Sequence, residues 1–307
     1  MTYVVQTHGL CKKYKQQFAV DHADMNIAKG DIYGFVGENG SGKTTIIRLI
    51  TGLIRPHSGS FELFGVPNTH ADIHQARRRV GAIVESPSIY QNMSAADNLK
   101  MQCTILGIQD ESLIPEVLAE VGLSELYEDK KHVSNFSLGM RQRLGIAMAL
   151  LGKPEFLILD EPMNGLDPAG IVEIRELILR LNRERGITFL ISSHILTELA
   201  LVATKYGIIS KGRILKEITA EQLHKECGKN TQILSDRPQL LWPALQNLLP
   251  AEIVRYIPGG IAISGEVELN PILRTIMDAG IRITAINCTE SSFEDYYLSM
   301  IGGAKHD

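Results

Sequence analysis

No apolar run in this chain approaches the roughly 20 residues needed to cross a bilayer, and no charged-then-apolar segment of signal-peptide type opens it. A soluble chain is expected, one that meets a membrane only through a partner. The four cysteines, Cys11, Cys103, Cys227 and Cys288, are scattered and never fall at C-x-x-C spacing, which argues against a disulfide framework and for free thiols in a reducing compartment. An excess of basic residues is missing too. Residues 1–220 hold 24 basic and 24 acidic side chains, while residues 221–307 hold 7 and 11, for a formal net charge of −4. That distribution leaves no nucleic-acid footprint, so no nucleic-acid partner is expected. Internal repeats and low-complexity tracts are also absent. A length of 307 residues then implies one large α/β unit with an appendage, or two domains.

What the chain does have is Gly37-Glu38-Asn39-Gly40-Ser41-Gly42-Lys43-Thr44-Thr45, which fits the phosphate-binding pattern G-x-x-x-x-G-K-[ST]. Residues 31–36 before it read as a buried strand. Ile46, Ile47, Leu49 and Ile50 after it mark a helix that ends near Gly52. The glycines let consecutive backbone N–H groups turn inward around an anion, and the helix terminus adds positive potential at the same point. Gly37, Asn39, Gly40, Ser41, Gly42, Lys43, Thr44 and Thr45 are therefore candidate nucleotide contacts, with Lys43 a point charge for the terminal phosphates. The Thr44 hydroxyl is placed to bind Mg²⁺, and the expected ligand is a nucleoside triphosphate with that cation.

Residues 3–10 and 20–27 alternate apolar and polar side chains and predict antiparallel strands. Tyr14, in the loop between them, either stacks on a base, worth about 1–3 kcal/mol in nucleic-acid complexes, or packs on its own strand. Strands follow at 60–64 and 80–85, the second leaving at Ser86-Pro87 in an extended exit. From Ser94 to about Leu151 the pattern is helical, with Ser94 and Asp97 spaced as an N-cap arrangement and further helices at 111–121 and 138–151. The alternation then resumes: strand 156–160, helix 168–182, strand 187–192, helix 195–203. A parallel sheet with helices on its faces follows from that order. Beyond residue 219 the elements read strand 231–235, helix 238–248, strand 253–257, strand 261–264, helix 270–279, strand 281–287 and a last helix at about 292–301. The first six have the β-α-β-β-α-β order of ferredoxin-like domains.

Phe156-Leu157-Ile158-Leu159-Asp160 is an unbroken apolar run ending in a carboxylate, the form of a central parallel strand. Asp160 can hold Mg²⁺ through water, and Glu161 beside it offers a general base for an attacking water. With these motifs in hand, residues 3–217 resemble an ATP-binding-cassette (ABC) transporter ATPase. The likeness rests on the Walker A loop, a Walker B segment from Leu157 to Pro162, a D-loop at Asn164-Gly165-Leu166-Asp167, and an H-loop His194 after Ser192-Ser193. Asn135-Phe136-Ser137-Leu138-Gly139-Met140-Arg141-Gln142-Arg143 resembles the ABC signature, with Leu138 in place of its first glycine and Met140 in place of its glutamine.

The resemblance implies ATP and Mg²⁺ as ligands, and Ser137 and Gly139 meeting the γ-phosphate of ATP held by an opposite subunit. It also implies a γ-phosphate contact for His194. A homodimer, or a pair with a similar ATPase subunit, is thus expected, working with separate transmembrane permease subunits at the cytoplasmic face of the membrane. Where the family usually has glutamine, this chain has Glu85. That substitution resembles the ATPase subunits of bacterial lantibiotic and bacitracin-type protection exporters, and it would bring a third carboxylate to the metal beside Asp160 and Glu161. The fold expected is an α/β P-loop NTPase core over 1–219, with an antiparallel β subdomain and an inserted helical subdomain at about 86–153. A small α+β ferredoxin-like accessory domain is expected at 220–307. Other readings stand beside the peptide exporter: an exporter ATPase for an unrelated substrate; a soluble non-transport ABC ATPase acting on ribosomes or DNA, which predicts a tandem pair of cassettes or a long coiled coil and a basic face; and a ligand-gated regulator, for which residues 221–307 offer no pocket signature.

Overall fold

Alternation at the start of the chain becomes a long strand, β1 (Tyr3–Tyr14), paired antiparallel with β2 (Gln17–Ala23) and β3 (Asn26–Ala28). The computed structural model describes residues 2–227, 229–290 and 292–303. Tyr14 is no loop residue as expected: it ends β1 and faces Gln17 across a two-residue turn, which Lys15 makes possible by taking a left-handed φ of 55°. His22, also left-handed, precedes the break between β2 and β3 that the periodicity of 20–27 did not reveal.

By contact density the chain divides into two units, Met1–Ala220 and Glu221–Asp307. In the first, β4 (Ile32–Val36) is buried at every position and runs into α1 (Lys43–Thr51). Then come β5 (Ser58–Leu63), β6 (Val66–Pro67), α2 (Ile73–Arg77) and β7 (Val80–Ile83). The helical segment holds α3 (Ala95–Leu106), α4 (Leu113–Glu120) and α5 (Leu138–Leu150). As its spacing predicts, Ser94 caps α3: its Oγ accepts from the Asp97 N–H at 3.1 Å and donates to the Asp97 carboxylate at 2.7 Å.

The chain re-enters the sheet with β8 (Phe156–Asp160), α6 (Pro168–Arg185), β9 (Thr188–Ser193), α7 (Leu196–Ala200), β10 (Lys205–Ser210) and β11 (Arg213–Thr219), before α8 (Ala220–Glu226) crosses the boundary. The six-stranded sheet has the order β11-β10-β4-β9-β8-β7, parallel except for β11. A second, antiparallel sheet has the order β2-β1-β5-β6, with β3 also on β1, and the apolar faces of both sheets share a core that includes Phe35, Ile46, Leu63, Phe156 and Leu190. In parallel sheets of this kind ligands bind beyond the carboxyl ends of the strands. Here β4, β8 and β9 end together, with Val36 opposite Ser193 and Asp160 opposite Ser192.

The second unit contains β12 (Lys229–Ser235), α9 (Leu241–Leu245), β13 (Val254–Ile257), β14 (Gly260–Ser264), α10 (Leu269–Asp278), β15 (Ile283–Glu290) and α11 (Phe293–Gly303). Its sheet is antiparallel throughout, in the order β13-β14-β12-β15, and its core is built on Ile233, Leu241, Leu245, Ile261, Ile263, Ile272 and Ile276. This strand order is the split β-α-β arrangement of ferredoxin-like domains. The helix expected over 238–248 is shorter, a 3₁₀ turn at Pro238–Leu240 followed by α9. Pro243 has no N–H to give the carbonyl four residues back, so a regular helix cannot run through from Pro238.

Candidate functional site

The phosphate-binding loop leaves β4 at Gly37, where a Cβ would fall 2.5 Å from the Ile209 carbonyl oxygen and 2.6 Å from Ser41 Oγ. Gly42 caps α1 with a φ of 111°, and a side chain there would meet the Ala19 carbonyl oxygen at 2.5 Å. Neither position tolerates a side chain. Lys43 is 5% exposed, and its ammonium donates to the Gly37 carbonyl at 2.6 Å and the Glu38 carbonyl at 3.2 Å. Burial pulls its pKa below the ordinary lysine range, against the opposing charges of Glu161 and Asp160. Ser41 Oγ is buried with no hydrogen-bond partner among the described residues. An orphaned hydroxyl, a cramped glycine cradle and a buried ammonium fit a phosphate chain. Asn39 and Gly40 are exposed at the loop tip, and Thr44 and Thr45 are half-buried in the first turn of α1.

Asp160 ends β8 at 2% exposure and accepts a 2.5 Å hydrogen bond from the Ser192 hydroxyl of β9. Glu161 then turns left-handed, at φ 50°, and its N–H is held by the Ser192 carbonyl at 3.1 Å and hydroxyl at 3.0 Å. That turn aims its carboxylate at two cations or cation-formers: Lys43 Nζ lies 3.6 Å from Oε1, and His194 Nδ1 lies 2.7 Å from Oε2. Lys43, Asp160, Glu161 and His194 are thus gathered from three strand ends. A carboxylate so placed can take a proton from water while the ammonium meets phosphate charge. Ser192, which the sequence reading passed over except as part of the H-loop, ties Asp160 and Glu161 together.

Glu85 departs from expectation. In place of a position beside Asp160 and Glu161, its carboxylate sits 2.5 Å from a guanidinium nitrogen of Arg48 on α1 and is 63% exposed. β7 ends two residues earlier than predicted, at Ile83, and Glu85 takes a left-handed φ of 65° that swings its side chain toward α1. Arg48 escaped the sequence reading; its spacing of four from Thr44 was the available signal, since it places both on one helix face.

Ser137 caps α5, its Oγ accepting from the Met140 N–H at 3.1 Å. Gly139 follows in the first turn, and Leu138 packs toward Gly165, where a Cβ would come within 3.3 Å of Leu138 Cδ2. The signature segment therefore touches the D-loop of its own chain. Tyr14 is 46% exposed with the Lys12 ammonium 5.6 Å from its ring centroid. No hydrogen bond or ring contact joins it to the phosphate-binding loop among the described residues, although Ala19, farther along β2, abuts Gly42. A separate groove of about 960 Å³, to whose lining Lys43, Asp160, Glu161 and His194 do not belong, is formed by, among others, Leu53, Val84, Pro87, Ile105, Leu106 and Met148. No helix among the described residues is long and apolar enough to cross a membrane.

A phosphate-binding loop, paired strand-end carboxylates and a histidine on a mostly parallel sheet define a P-loop nucleoside triphosphatase. Residues 20–164 match the ABC transporter family model. The bacitracin transport ATP-binding protein BcrA of Bacillus licheniformis is 44% identical over 305 residues, covering 99% of each chain. The lantibiotic transport ATP-binding protein SrtF of Streptococcus pyogenes is 44% identical over 214 residues, covering 70% of this chain and 90% of its own. An ATP-binding cassette solved as a dimer in a post-hydrolysis state with ADP and phosphate shares the fold, with a TM-score of 0.63 at 23% identity, over 70% of this chain and 98% of its own. The chain belongs to the ABC transporter ATP-binding family and is an ATPase.

Proposed function

We propose that this chain is the ATP-hydrolysing subunit of a bacterial exporter that removes a peptide antibiotic of the bacitracin or lantibiotic kind. The observation that carries this reading is the end-to-end similarity to the bacitracin transport ATP-binding protein, which extends through residues 221–307, whereas the lantibiotic relative aligns over 214 residues. An acid at position 85 supports the same subfamily. Two chains pair so that Ser137 and Gly139, at the N-terminus of α5 in one, face nucleotide in the other; helix N-termini carry free N–H groups suited to phosphate. Separate permease subunits then dock on the groove walled by Leu53, Ile105 and Leu106, whose apolar side chains are exposed. That assembly places the ATPase at the cytoplasmic face of the membrane.

Within the site, Lys43 and the loop N–H groups hold the phosphates of ATP. Thr44, Asp160 and, once released from Arg48, Glu85 are the residues that would hold Mg²⁺, which when bound would neutralise phosphate charge. Glu161 accepts the proton of the attacking water, and His194 orients Glu161 and meets the γ-phosphate. Tyr14 receives the base. The test is protection: in a sensitive host, the chain expressed with its permease should raise tolerance to bacitracin or a lantibiotic, and Glu161→Gln should abolish the gain. An assembled, ATP-hydrolysing complex that gives no protection against either class removes the peptide-exporter reading and leaves the ATPase intact.

A further inference from the structure

Arg48 lies four residues beyond Thr44 on α1, so the two side chains share a helix face about one turn apart. Its guanidinium is 2.5 Å from the Glu85 carboxylate, and both side chains are partly solvent-exposed, at 36% and 63%. Glu85 itself sits in a strained turn: the Ser86 N–H donates to the Val84 carbonyl at 2.9 Å around a left-handed residue, the rare γ-turn. β7 and β8 run parallel with Ile83 opposite Leu159, so this turn emerges from the sheet end that also carries Asp160. The next residues press on the helical layer, where a Cβ on Gly145 of α5 would come within 2.6 Å of Pro87.

We propose that Arg48 is a positioning residue for Glu85: it holds the carboxylate on α1 in the nucleotide-free chain and competes with the divalent cation for it when nucleotide binds. This rests on the reading of Glu85 as a residue that reaches the cation. A neutral glutamine would have little to exchange, whereas a carboxylate must leave one cationic partner to meet another. Because the pair is exposed, its hold is weak enough to yield on each cycle. Release also relaxes the turn at 84–86 beside Pro87, so the exchange is felt where that loop lies against α5 and walls the groove.

The experiment measures Mn²⁺ affinity by paramagnetic resonance on the full chain with a non-hydrolysable ATP analogue, so that turnover plays no part in the readout. Arg48→Gln should tighten Mn²⁺ binding by about two- to fivefold, the range an exposed pair supports. Glu85→Gln should weaken it, and Arg48→Gln added to Glu85→Gln should have no further effect. Arg48→Lys, which keeps the charge, should restore parental affinity. Circular dichroism and metal-free nucleotide binding check the fold, and Arg48→Met repeats the test should glutamine disturb α1. Equal tightening with and without the Glu85 carboxylate is a long-range charge effect and overturns the exchange alone. An unchanged affinity in Arg48→Gln does the same. If Glu85→Gln leaves Mn²⁺ affinity at the parental value, the carboxylate does not reach the cation, and both the exchange and that reading of Glu85 fall.

Discussion

Glu161 Oε2 and His194 Nδ1 lie 2.7 Å apart, each on the residue that follows a buried strand of the parallel sheet. Asp160 faces Ser192 in register, and the left-handed turn at Glu161 brings its side chain across to the end of β9. The pair is therefore a product of strand register, and its other neighbour is the ammonium of Lys43, 3.6 Å from Glu161 Oε1.

Lys43→Ala and Glu161→Gln should fail differently. Losing the ammonium removes charge-assisted bonds to phosphate, so ATP affinity should fall roughly 10- to 100-fold. Losing the carboxylate base should leave ATP bound while kcat falls by about two to four orders of magnitude. With ATP and Mg²⁺, size-exclusion chromatography should find Glu161→Gln as a stalled dimer. A strictly monomeric Glu161→Gln at high concentration would sink the shared site.

His194→Ala should lower kcat by about 100-fold, the scale of a misplaced reacting group, with a smaller change in KM. His194→Gln, which retains a hydrogen-bonding side chain, should recover part of that loss. If both variants turn over ATP at the parental rate, the 2.7 Å contact with Glu161 is structural only.

Most of this arrangement was legible because its residues come in contiguous signatures: the loop from Gly37 to Thr45 and the run ending at Asp160-Glu161 each lie within one strand-turn unit. The element order after residue 231 was legible for a related reason, since β-α-β-β-α-β leaves few ways to pair four strands. What escaped was set by pairing over distance. Glu85 and Arg48 are 37 residues apart, and only the left-handed turn after β7 makes them meet. The hairpin β10–β11 went unassigned because its apolar runs, Tyr206 to Ile209 and Ile214-Leu215, are short and bounded by Lys205, Ser210, Arg213 and Lys216, and Tyr14 was misplaced because Lys15 adopts a conformation ordinarily reserved for glycine or asparagine.

A chain ending at Ala220 should fold and bind ATP with affinity within about twofold of the parent, because the nucleotide residues and the core around Phe35 and Phe156 all precede that point. Dimerisation or permease capture should weaken in the same chain if, as proposed from its acidity and element order, the second unit supplies docking surface and no catalytic group. Folded but ATP-incompetent truncated protein, by circular dichroism and fluorescent-nucleotide titration, would show that residues 221–307 belong to the site.

Leu138 stands where the family places glycine, and it is 43% exposed while its Cδ2 closes on Gly165 of the D-loop. Gly165 is left-handed at φ 75°, so Gly165→Ala carries two separable costs. The backbone cost should be about 1–2 kcal/mol whatever surrounds it. The contact cost is only a 3.3 Å approach to a flexible leucine at the first position of α5, so pairing Gly165→Ala with Leu138→Gly should recover no more than a few tenths of a kcal/mol. Function should separate the two further. Leu138→Gly leaves the Gly165 turn in place but removes the side chain packed toward it, so its ATPase rate should fall while urea unfolding changes little, the substitution lying at the first position of α5. Gly165→Ala should lose both stability and rate. A Leu138→Gly chain with parental ATPase and undiminished ATP-driven dimerisation would mean that the leucine is a passive substitution in the signature.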